Sequence, residues 1–137
     1  MAARVFMLLS AGVVLMLGVI HLGYTFSGTK LNPRDPSLQV AMSQTTPLIT
    51  KDTTMWRCWV GFNATHSLGL ILFGLFFGYL ALAQPRLLFE SWFLLTTGMA
   101  TLAALLVLCR MYFFNAPLLG ISIASICYVI SVALSRL

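Results

Sequence analysis

Four long, nearly uncharged apolar runs limit what this chain can fold into. They lie at about residues 5–26, 56–83, 88–110 and 117–134, and each is long enough to cross a hydrocarbon core of about 30 Å, which takes about 20 residues of α-helix. Apolar residues surround the first run on every side of a helical wheel, as lipid solvation requires and a half-buried surface helix does not. Only 8% of the 137 residues are charged and 60% are hydrophobic, against about 25% charged in an ordinary soluble domain. The expectation is therefore all-α: a single transmembrane domain spanning residues 1–137, built as a four-transmembrane-helix bundle with a loop at 27–55.

The connections set the direction of each span. Gln84-Pro85-Arg86 reads as a tight turn that sends the third span back antiparallel to the second. Asn115 reads as a helix cap, with Pro117 opening the fourth span. The result is an up-down-up-down bundle, with Arg4, Arg86 and Arg136 on one side and Lys30, Arg34, Lys51, Arg57 and Arg110 on the other. The positive-inside rule leans towards a cytoplasmic first loop, but without Arg57 and Arg110 the count is three against three. The start Met1-Ala2-Ala3-Arg4 resembles a signal peptide; with no small-x-small site before a soluble domain, a retained first span is expected.

Within the first loop, Asp35-Pro36 has the form of an N-cap followed by proline at the first helical position, and Leu38, Ala41, Met42 and Thr45 share one stripe. A short amphipathic helix ending before Pro47 is expected there, lying at the interface as a lid or as a plain connector.

Several function classes are excluded. The net charge of +5 comes from scattered residues, with no two Lys or Arg adjacent, so no nucleic-acid partner is expected. Cys58, Cys109 and Cys127 form no CxxC pair and read as small packing residues. No serine sits in a GxSxG elbow.

Polar groups inside spans tend to face one another or a cavity, because burying them unpaired in hydrocarbon costs several kcal/mol. Here they gather in the loop-side half: His21 and Tyr24 from the first span, Asn63, Thr65, His66 and Ser67 from the second, Arg110 and Tyr112 at the end of the third. Asn63, His66 and Ser67 stand at i, i+3, i+4 and share a face. Counting 1.5 Å per residue, His21 lies about 8 Å and His66 about 15 Å inside their respective helix ends.

Four readings compete for this cluster. It is interhelical glue, worth about 0.6 kcal/mol per contact on average; or the polar wall of a pocket for a lipid-like or isoprenoid-like molecule, formed by His21, Asn63, His66 and Arg110; or a haem or metal site; or a proton path. The third is opposed by the apparent offset of the histidines and the lack of a third ligand, so no metal or cofactor is expected. The fourth lacks a mid-span Asp or Glu.

Gly74-Leu75-Phe76-Phe77-Gly78 is a GxxxG pattern, which serves either packing within the bundle or a homo-oligomer. Trp56, Trp59, Tyr24 and Tyr112 form an aromatic belt on the loop side, and Trp92 marks the opposite interface.

The stretch from Trp56 to Gly69, WRCWVGFNATHSLG, together with Gly18-Val19-Ile20-His21-Leu22 and Met42, resembles a family of uncharacterised small bacterial four-span membrane proteins. That resemblance covers most of the chain and implies a multi-pass protein of the bacterial inner membrane. A looser similarity is to the EXPERA group of four-span proteins, which implies a polar pocket inside the bundle. The intramembrane acidic groups used by that group's sterol isomerases are absent here.

Three functions are carried forward: a protein binding a lipid-like small molecule; a non-catalytic accessory subunit of a larger membrane complex, its glycine strip and loop helix facing membrane-protein partners; and an intramembrane enzyme with His66 as general base.

Overall fold

The structure is a computed structural model describing all residues, Met1–Leu137. It contains six helices and no strands: α1 (Ala2–Phe26), α2 (Pro36–Gln44), α3 (Met55–Ala83), α4 (Pro85–Glu90), α5 (Trp92–Tyr112) and α6 (Asn115–Leu134). Helices α1, α3, α5 and α6 are long and apolar enough to cross a membrane. Only 28, 39, 22 and 22% of their most apolar windows is buried. Most of their surface is thus apolar and outward-facing, which makes the chain a multi-pass membrane protein.

Two compact units divide the chain: Met1–Leu17 with Leu70–Leu137, and Gly18–Gly69. The first unit is a four-helix bundle by itself, built from the first part of α1, the second part of α3, and all of α4, α5 and α6. Its core positions follow the helical repeat. Met7, Ala11 and Val14 point inward from α1, Phe73, Phe77, Leu80 and Ala81 from α3, Leu95 and Leu102 from α5, and Ile121, Ala124 and Tyr128 from α6.

Polar contacts lock the helix order at one end of this unit. Arg4 donates from Nε to the Ala81 carbonyl at 3.0 Å and from Nη2 to that of Leu82 at 2.9 Å, satisfying carbonyls that the end of α3 leaves open. Ser131 near the end of α6 donates to the Ala3 carbonyl at 2.7 Å, and the Arg136 guanidinium lies 4.1 Å over the Trp92 ring at the start of α5. The starts of α1 and α5 therefore meet the ends of α3 and α6, which is the expected up-down-up-down order.

Two glycines allow close approach. A Cβ on Gly74 would stand 2.6 Å from Leu15 Cβ, 2.7 Å from the Ala11 carbonyl oxygen and 2.9 Å from Leu15 Cα, whereas one on Gly78 would meet only Ala11 Cβ at 3.7 Å. The GxxxG pattern thus seats α3 on α1 inside this unit, chiefly through its first glycine. Gly98 of α5 makes room for Tyr128, whose hydroxyl would collide with a Cβ there. That hydroxyl donates to the Leu95 carbonyl at 3.0 Å, so a fully buried phenol has its partner.

The connections differ in detail from the sequence expectation. The 84–86 turn opens a six-residue helix, α4, with Pro85 in its first turn. Ser91 then caps α5 by accepting from the Leu94 amide at 3.3 Å. Asn115 lies inside α6; the cap position is Phe114, which makes no side-chain capping bond. Pro117 still falls in the first turn, where a missing N–H costs no intrahelical bond.

Candidate functional site

The second unit, Gly18–Gly69, holds the end of α1, the loop with α2, and the start of α3. The chain leaves α1 through Gly28, whose φ of +103° lies in the left-handed region open to glycine. Asp35 caps α2 by accepting from the Ser37 amide at 2.9 Å. Ser37's side chain first, and its backbone N–H second, hold the Asp35 carboxyl below its ordinary pKa. The expected loop helix is present, but it buries no residue. Leu38 and Val40 remain more than half exposed. Its end is tied to the next span by the Met55 amide, which donates to the Thr45 carbonyl at 2.8 Å.

Here the structure brings together three of the four residues singled out from sequence. His21 Nε2 lies 3.0 Å from Asn63 Oδ1. Asn63 commits its amide nitrogen to the Trp59 carbonyl at 2.8 Å, so its oxygen faces His21, and the histidine nitrogen facing it carries the hydrogen. The His21 and His66 rings meet edge to face, with centroids 5.3 Å apart and planes at 85°. Ser67, fully buried, donates to the Asn63 carbonyl at 2.8 Å. Asn63 is therefore the hub: one side chain bonds α1 and α3.

The offset of about 7 Å counted between the histidines does not separate them. Asn63 lies eight residues from the start of α3 and His21 five from the end of α1. Since their side chains bond, α3 extends roughly one turn beyond α1. Depth counted from helix ends assumes that the ends are level.

Above the cluster, Thr25, Leu31, Asn32, Trp56, Trp59, Val60 and Asn63 line a cleft of ≈ 10 Å³, room for about one water molecule. Trp59 is fixed there by donating from Nε1 to the Leu31 carbonyl at 3.1 Å. Nearby on the loop, Lys30 sits 4.1 Å over the Tyr24 ring and donates to its hydroxyl at 3.0 Å. Two of the four loop-side belt residues, Trp56 and Trp59, thus line the cleft.

Arg110 belongs to the other unit. It is exposed in the last turn of α5, where a cation complements the negative end of the helix dipole. No group of three or more His, Cys, Asp or Glu residues comes together as a metal site.

Sequence reasoning did not find the part played by Trp56, Asn32 and Thr25 in the cleft. The only signal was that Thr25 stands one helical turn beyond His21, and Trp56 and Trp59 two turns and one turn before Asn63.

The fold and this hydrogen-bonded cluster define a four-span membrane protein with a polar, aromatic-walled cleft in its loop-bearing unit. Compared with protein-family models, curated proteins and solved structures, the chain matches none.

Proposed function

We propose that this protein, set in a bacterial inner membrane, binds the polar end of a lipid-like or isoprenoid-like molecule in the loop-bearing unit, with Asn63 in the wall of the cleft and His21 and His66 as the polar groups behind it. The observation supporting this reading is the double role of Asn63. It lines the aromatic cleft and holds His21 beneath it, so a guest in the cleft touches a side chain whose orientation is already fixed. A cleft of ≈ 10 Å³ is far below the roughly 300 Å³ or more of a site enclosing a whole small molecule. Only a head group enters; the tail lies in the bilayer. Arg110 is left out of this wall, its position at the end of α5 being explained by the helix dipole.

Native mass spectrometry of the protein taken from its own membrane in mild detergent tests the reading. A reproducible small-molecule adduct that is lost in His66→Leu supports it. Bare protein in both cases counts against it.

A second reading, an accessory subunit of a larger membrane complex, is favoured by one face of α3. His66 is exposed within a span, and Cβ atoms on Gly61 and Gly69 would meet nothing within 4 Å. Retention of the wild-type protein with other polypeptides, lost in His66→Leu, would support that reading over the first. Turnover that is lost in the same variant, with folding and ligand intact, is the signature of the third reading, His66 as a general base.

A further inference from the structure

We infer that the group entering the cleft is an uncharged hydroxyl, so that the ligand is a long-chain or isoprenoid alcohol and neither its phosphate nor an amine. This rests on the binding reading above and narrows it. None of the seven lining residues is Lys, Arg, His, Asp or Glu. An anion or ammonium taken from water into such a wall would lack a counter-charge, the costliest form of burial. Size points the same way: ≈ 10 Å³ accommodates about one oxygen atom with its hydrogen, not a tetrahedral phosphate or a trimethylammonium group.

The hydrogen-bonding capacity left over in the lining includes both donors and acceptors, as a hydroxyl requires. The Trp59 N–H is committed to Leu31, while Asn63 gives its oxygen to His21 and one N–H to Trp59 and keeps a second N–H. Asn32 donates one N–H to Gln39 at 3.4 Å and keeps its side-chain oxygen as an acceptor. Thr25 donates its hydrogen to the His21 carbonyl at 2.8 Å, which leaves its oxygen able to accept. The indole N–H of Trp56 has no protein partner. The lining residues therefore retain donors, Trp56 Nε1 and the second Asn63 N–H, and acceptors, Thr25 Oγ1 and Asn32 Oδ1. A hydroxyl, alone among common lipid termini of this size, both accepts and donates. A carbonyl would use the donors only and leave the acceptors of Thr25 and Asn32 idle.

The test uses purified full-length protein in nanodiscs and three probes of one chain length: geranylgeraniol, geranylgeranyl phosphate and geranylgeranylamine. The alcohol is expected to bind tightest. Trp56→Phe, which removes the N–H and keeps the ring, and Thr25→Val, which removes the hydroxyl and keeps the shape, are each expected to weaken it about fivefold, the worth of one neutral hydrogen bond. Size-exclusion profiles and helix content identify either variant that fails to fold, leaving the other to decide. Phosphate or amine binding as tightly as the alcohol, or folded variants holding the alcohol as wild type does, overturns the hydroxyl assignment while the binding reading survives. If no probe binds, the binding reading falls and this inference falls with it.

Discussion

His21 and Asn63 face each other at 3.0 Å, Nε2 to Oδ1, from the end of one membrane helix and the start of another. Removing either side chain strands the other in a low-dielectric setting. Asn63→Leu and His21→Leu are each expected to destabilise the protein by about 1–3 kcal/mol. The double variant should lose less than the sum of the two, with a coupling of about 0.6 kcal/mol and at most about 1.7. Reversible unfolding in mixed micelles of all four proteins measures this, and strict additivity would show that the contact is not formed.

Gly74 and Gly78 offer a contrast inside one motif. Alanine at 74 would drive its Cβ to 2.7 Å from the Ala11 carbonyl and 2.9 Å from Leu15 Cα, backbone atoms that cannot swing aside. Gly74→Ala is expected to cost about 1–3 kcal/mol. Gly78→Ala meets only an ordinary 3.7 Å contact and gains helix propensity of up to about 1 kcal/mol, so it should be neutral or stabilising. Equal effects in thermal unfolding would contradict the seating of α3 on α1.

Tyr128→Phe removes the hydroxyl that reaches the Leu95 carbonyl and is expected to cost about 1 kcal/mol. Gly98→Ala should cost more, because its Cβ meets both that hydroxyl and Phe77 Cζ, the latter at 2.6 Å. Combining Gly98→Ala with Tyr128→Phe should recover part of the loss, since the oxygen is the nearer obstacle; no recovery would mean that Phe77 sets the spacing.

Acid should loosen α2 before any span. Asp35 is held below its ordinary pKa by Ser37, so its contribution is present above the usual carboxylate range, near pH 4, and is lost as pH falls through the lower folded value. Amide exchange at Ser37 is expected to be protected at pH 6 and to lose protection below about pH 4 relative to its intrinsic rate. In Asp35→Ala that pH dependence should vanish. Persistence of it would assign the cap to another group.

The four spans and the loop helix were legible because each depends on local information: run length for the spans, and Asp35-Pro36 for α2. The face shared by Asn63, His66 and Ser67 was also legible, from spacing alone. What the chain does not display locally is level. Helix ends are not flush, so the depths counted for His21 and His66 placed apart two rings that touch. Gly98 carried no signal, since its reason is a phenol 30 residues later in the sequence. The cleft depends on which indole N–H is already spent, a fact fixed by the path of the loop past Trp59 and by no pattern in the sequence.

The bonds of Arg4 and Ala3 also say something about biosynthesis. The first helix reaches the translocon with its opening turn unmatched. The carbonyls of Ala81 and Leu82 arrive 77 and 78 residues later, and the Ser131 hydroxyl 128 residues after Ala3. A nascent chain stopped before α6 can seat α1 against α3 but cannot close that end of the unit. That end of the unit is knit shut only once α6 has been made, so deletions that remove Ser131 leave the Ala3 carbonyl without this partner.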